Sequence, residues 1–222
     1  KEFIRQVHEK YREAVGDRFA GTIPAIFTDE PQFSRKDCFA RAEGKEELKI
    51  PFTEDLEEGF QETYGVSLLD SLPELFWELP GAVSKIRYWY HDYVAERFAQ
   101  AYSDTLGRWC REHGILLTGH MMEEPELGPQ TRTLGEAMRQ YRNFGLPGID
   151  MLADAREYTT AKQAQSASHQ YGCQGVLSEL YGVTNWDFDF RGHKLQGDWQ
   201  AVLGLTQRVH HLSWLSMRGE SK

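Results

Sequence analysis

The chain has 222 residues, of which 40% are hydrophobic, 13% aromatic and 27% charged. That apolar content can bury a sizeable core and excludes a disordered chain, and no apolar run is long enough to cross a bilayer as a helix. The formal net charge of −9 argues against a nucleic-acid partner and against a polybasic membrane-surface site.

Residues 1–15 carry Phe3, Ile4, Val7, Tyr11 and Val15 at helical spacing, which predicts an amphipathic helix. Residues 23–28 are a short apolar run closed by Asp29, Glu30 and Pro31, and predict a buried strand. A polar loop over 34–48 leads to a helix that opens at Thr53, has acids in its first turn and stops near Gly65. A short helix is expected over 71–79. A long one follows over 84–113, with Ile86, Tyr90, Tyr93, Val94, Phe98, Leu106 and Trp109 as its apolar stripe and Gly114 as its stop. Residues 115–119 predict a strand, 120–130 an acidic loop, 135–143 a helix, and 147–152 a strand. A helix over 159–171, a strand over 175–179 and an aromatic loop over 180–196 come next. A helix over 197–210 and a strand over 211–217 end the series.

Five short strands alternating with helices predict parallel βαβ units in one domain spanning residues 1–222. A closed (β/α)8 barrel has eight strands and typically about 250 residues. The expected fold class is therefore α/β, a partial TIM-type (β/α) barrel holding roughly strands 4 to 8 with their helices. The rival is a doubly wound sheet, which usually has a glycine-rich phosphate turn after an early strand. Here that turn is Asp29-Glu30-Pro31-Gln32, acidic and free of glycine. The three cysteines, Cys38, Cys110 and Cys173, are widely spaced and read as small buried hydrophobes, with no disulfide framework or zinc pattern.

Barrel chemistry sits at the carboxyl ends of the strands. Those ends carry Asp29 and Glu30, His120, Asp150, Ser178 and Glu179, and Arg218. Glu30 and Glu179 close strands expected to face each other, and two opposed carboxylates are the minimum apparatus of glycoside hydrolysis. One carboxyl gives a proton to the leaving oxygen, while the other, ionised, activates water or attacks the anomeric carbon. The bland reading of each is a helix cap or an ion-pair partner. Asp29 reads as an orienting or capping group, with a second catalytic acid as the alternative, and His120, just after a strand and a glycine, as a group that hydrogen-bonds a ligand or as a satisfied core histidine. Glu123 and Glu124 read as a solvated acidic loop, with a loop acid or metal ligand as the alternative and either one as the partner carboxylate if Glu30 and Glu179 do not meet. Among the aromatic residues near the last strands, Trp199 and Trp214 read as core, and Trp186 as exposed and able to pack on a sugar face. Asp187-Phe188-Asp189 is a weak calcium pattern without the rest of a binding loop. No GxSxG elbow, P-loop, HExxH or CxxC is present.

The blocks IPAIFTDEPQ (23–32), GILLTGHMMEE (114–124), GIDML (148–152), GVLSELYG (175–182) and WLSMRGESK (214–222) resemble the catalytic barrel of large bacterial glycoside hydrolases. The nearest resemblance is to the α-L-rhamnosidases of glycoside hydrolase family 106. It implies Glu30 as general acid, Glu179 as general base, inversion at the anomeric carbon, and a sugar pocket lined by Asp29, His120, Asp150, Tyr181 and Trp186. It also implies a carbohydrate substrate and calcium near the sugar, with no metal ligand assigned. The first three barrel strands and the flanking β-rich domains would then belong to the rest of a parent chain. The alternatives are a catalytically inactive carbohydrate-binding barrel fragment and a barrel isomerase or aldolase. The last of these usually needs a strand-end lysine or a phosphate site, and neither is found before Lys222.

Overall fold

In the computed structural model, which describes residues 1–153 and 155–212, five parallel strands form one sheet in the order of the chain. They are β1 (Ala25–Thr28), β2 (Leu116–Gly119), β3 (Leu146–Met151), β4 (Leu177–Leu180) and β5 (Gln207–His210). Each strand pairs with the next, and helices fill the connections, so the sheet curls into a half-barrel.

The outer face is the core. Leu117, Ile149, Met151 and Leu180 are buried there under Leu106, Trp109 and Cys110 of α5 (Thr105–Glu112) and under α8 (Tyr158–Tyr171). Helix α8 meets the sheet with Ala161, Ala164, Ala167 and Ser168, a helical stripe of small residues that lets the backbones approach closely. A second apolar cluster of Leu56, Phe60, Leu68, Leu75, Ile86, Tyr90 and Val94 lies between α3 (Leu56–Tyr64), the 3-10 turn Leu72–Leu75 and α4 (Lys85–Ala99). The inner face is open. Ala25, Phe27, Leu116, Thr118, Leu146, Leu177 and Val209 line a concavity of about 480 Å³ along it.

Several boundaries differ from expectation. The first helix is two, α1 (Glu2–Gln6) and α2 (His8–Val15), broken at Val7. The long helix over 84–113 is α4 and α5 joined by a wide π turn, Gln100–Asp104, in which the Tyr102 hydroxyl lies 2.5 Å from Thr28 Oγ1. The acidic loop contains α6 (Leu127–Thr133). Two expectations at the end of the chain are overturned. The last helix is α9 (Phe190–Val202) rather than 197–210, because Asp189 caps it, its side chain accepting from the Gly192 amide at 3.0 Å. That cap gives the Asp187–Asp189 pattern a structural use. The fifth strand is Gln207–His210, inside the expected helix. It sits at the sheet edge, is exposed along its length and so lacks the apolar run that marks the other four. Residues 213–217 of the expected last strand, with Trp214 and Arg218, lie outside the described residues. Cys38 is exposed and Cys173 half-buried; Cys110 alone matches the buried reading.

Candidate active site

Side chains alternate across a strand, so positions two apart share a face. The sheet register pairs Phe27 with Thr118, Gly148 with Leu177, and Asp150 with Glu179. Two residues beyond Phe27, Thr118, Gly148 and Leu177 come Asp29, His120, Asp150 and Glu179. Parallel pairing levels Asp29 with His120 and, two residues further toward the carboxyl mouth, Asp150 with Glu179, all on the inner face, and the His120 side chain spans the step to Glu179. Glu30, one residue out of phase, is turned in by a left-handed backbone (φ 43°). A non-glycine residue with positive φ follows each of the first four strands: Glu30, Glu123, Ala153 and Tyr181. Such conformations cost about 1–3 kcal/mol each, and they are concentrated here at the end of the sheet that carries the polar layer.

His120 is the hub. It is 1% exposed, its amide donates to the Thr28 carbonyl at 3.1 Å, and the Phe27 ring meets it edge-on at 5.6 Å. Its Nε2 lies 3.0 Å from Glu179 Oε2 and 3.4 Å from Asp29 Oδ1. Both partners are acceptors when ionised, so Nε2 carries the proton. Ligating atoms of Glu30, His120 and Asp150 also lie within 4.8 Å of one another. The structure thus brings together Asp29, Glu30, His120, Asp150 and Glu179. Burial pushes the Asp150 carboxyl up to about 6; His120 opposes the shift and Glu179, Glu30 and Asp29 add to it. Asp150 Oδ1 and His120 Nδ1 are buried without a hydrogen-bond partner among the described residues.

Tyr181 and Trp186 are not drawn into this cluster. The Tyr181 hydroxyl donates to the His193 carbonyl at 3.1 Å, and its ring packs on His193 and His210. Trp186 is 82% exposed in the loop before α9, as expected of a platform residue. Trp199 packs against the core.

Glu124 was read first as part of a solvated acidic loop and only second as a loop acid or metal ligand, but it is 5% exposed. Its Oε2 accepts from the Asp150 amide at 3.0 Å, and Oε1 lies 2.9 Å from the Tyr141 hydroxyl and 3.4 Å from the Met121 amide. The preceding Met121-Met122 pair was the available signal, since Met121 is itself buried. Glu123 turns outward and pairs with Arg35.

Calcium takes six to eight oxygen ligands. Among the described residues, both acidic groupings of ligand-like geometry, Asp29–His120–Glu179 and Glu30–His120–Asp150, include the His120 imidazole. This donor chemistry does not fit calcium, and the chemistry proposed below runs on the chain's own groups.

The half-barrel is similar to the structure of a rhamnosidase from Novosphingobium sp. PP1Y, with a TM-score of 0.70 and 20% sequence identity over 96% of this chain. The fold is rhamnosidase-like. At that identity the likeness is one of fold, and the match covers 20% of the rhamnosidase chain. No protein-family model matches this chain, and no curated protein matches it.

Proposed function

We propose that the polar layer is the acid–base site of a glycoside hydrolase, of the inverting α-L-rhamnosidase type resembling glycoside hydrolase family 106. The observation that carries this reading is the convergence of Glu30, Asp150 and Glu179 on His120 at the carboxyl ends of neighbouring parallel strands. Glu30 gives its proton to the glycosidic oxygen as the bond to the anomeric carbon breaks. Water attacks that carbon from the opposite face and passes its proton to Glu179. The His120 Nε2–H holds the Glu179 carboxylate in place. Asp29, His120 and Asp150 bind sugar hydroxyls, and Tyr181 and Trp186 flank the pocket. So acidic a layer repels phosphate and suits a neutral sugar. In such an enzyme further barrel strands would cover the open inner face.

Glu30→Gln in the full-length polypeptide is expected to slow aryl rhamnosides in proportion to the basicity of the leaving group, with little loss for the most activated. Equal loss across leaving groups removes Glu30 from the acid role. A second reading has Asp150 as the proton donor, favoured by its carboxyl being pushed up to about 6. In that case Asp150→Asn, rather than Glu30→Gln, gives the leaving-group dependence. Sugar binding without turnover by the intact protein would favour the inactive carbohydrate-binding alternative.

A further inference from the structure

The Tyr141 hydroxyl sits between two acceptors, 2.7 Å from the Gly148 carbonyl and 2.9 Å from Glu124 Oε1. A phenol has one proton to give. A carbonyl oxygen can only accept, so the proton on Tyr141 satisfies Gly148. The contact with Glu124 is then a hydrogen bond only if Glu124 supplies the hydrogen. We infer that Glu124 is a neutral carboxylic acid, donating from Oε1 to Tyr141 while its Oε2 accepts from the Asp150 amide, and that it acts as a positioning residue beneath the polar layer.

The surroundings agree. Glu124 and Tyr141 are both almost fully buried. The groups facing the Glu124 carboxyl are His120 at the end of β2, Tyr141 after α7 (Ala137–Gln140), and Asp150 and the Met121 amide. The loop itself is pinned from behind, where Gln130 and Gln163 donate to the Glu124 carbonyl at 2.6 and 2.9 Å. Burial is the main cause that pushes the Glu124 carboxyl up to about 7, against the pull of His120 and of the Asp150 and Met121 amides. The chain Glu124–Tyr141–Gly148 therefore ties the segment after β2 to the middle of β3, and the Asp150 amide ties it to the end of β3. Asp150 is held by a group that adds no charge to a layer already rich in carboxylates. This inference does not depend on the sugar chemistry.

Stability follows in sign. The folded pKa lies above the unfolded value of 4.5, so this contribution is complete below that value and is lost as pH rises through about 7. Two measurements test the inference. In wild-type protein with carbon-13 at the glutamate carboxyls, one resonance is expected to titrate near neutrality. If every glutamate titrates below about pH 5, like ordinary carboxyls, the inference is overturned. In the second, Glu124→Gln keeps the two main contacts, with Nε2–H donating to Tyr141 and Oε1 accepting from the Asp150 amide, and gives up only the long 3.4 Å contact from the Met121 amide. It is expected to keep a Tm close to wild type near pH 5 and to lose less of it between pH 5 and 8, whereas Glu124→Ala loses Tm throughout. An ionised Glu124 needs two acceptor oxygens, which glutamine lacks. A glutamine variant as damaged as the alanine variant at pH 5 would therefore contradict the neutral acid.

Discussion

Glu179→Gln is expected to lower turnover of a terminal rhamnoside by about 10²–10⁴-fold in the full-length polypeptide, the usual worth of a general base. The substitution preserves size and leaves a carbonyl oxygen to accept from His120 Nε2, which lies 3.0 Å from the native carboxylate. Folding and sugar affinity should change little. What is lost is the ability to take a proton from the attacking water, a step common to every substrate. The loss should therefore be nearly independent of the leaving group, unlike that of Glu30→Gln. Steady-state rates on a series of aryl rhamnosides separate the two. A Glu179→Gln enzyme within about threefold of wild type would exclude the base role, because water activation cannot be dispensed with at that scale.

Gly119→Ala is expected to cost at least about 3 kcal/mol of stability, from strain and overpacking together. Gly119 ends β2 at φ 119°, a conformation that L side chains rarely adopt. A Cβ there would lie 1.9 Å from the Thr28 carbonyl oxygen and 2.6 Å from the Thr28 amide nitrogen. Those are backbone atoms of the neighbouring strand, so no side-chain rotation relieves the clash. Relief requires β1 and β2 to part at the step that carries Asp29 and His120, and the same Thr28 carbonyl receives the His120 amide. Denaturant unfolding measures the cost. A change below about 1 kcal/mol would mean that the strands separate more easily than this packing allows.

The first four strands were legible because each is an apolar run closed by a polar residue, and their alternation with helices pointed to a parallel sheet. The same runs placed Asp29, His120, Asp150 and Glu179 at strand ends, and a period of two then aligned them. The polar edge strand β5 was not legible, since exposure on the open side removes the hydrophobic signal. The start of α9 was hidden in an aromatic loop, although Asp189 is a helix-capping residue in sequence as well as in structure. The burial of Glu124 was only weakly legible. It depends on partners far along the chain, here Tyr141 and the Asp150 amide, and the Met121-Met122 pair before it is the one local hint that sets it apart from Glu123. The resemblance implied Tyr181 as a pocket residue; its left-handed backbone (φ 74°) and its bond to the His193 carbonyl place it beside the cluster, at the start of the following loop.

The central claim is that the carboxylates gathered around His120 hydrolyse a glycosidic bond. The most direct test follows an aryl α-L-rhamnoside by proton NMR in the presence of the full-length polypeptide and of its Glu30→Gln/Glu179→Gln double variant. Wild type is expected to release rhamnose with the anomeric configuration inverted in the first-formed product, and the double variant to release none. Release that persists in the double variant, or no release by wild type, would contradict the claim.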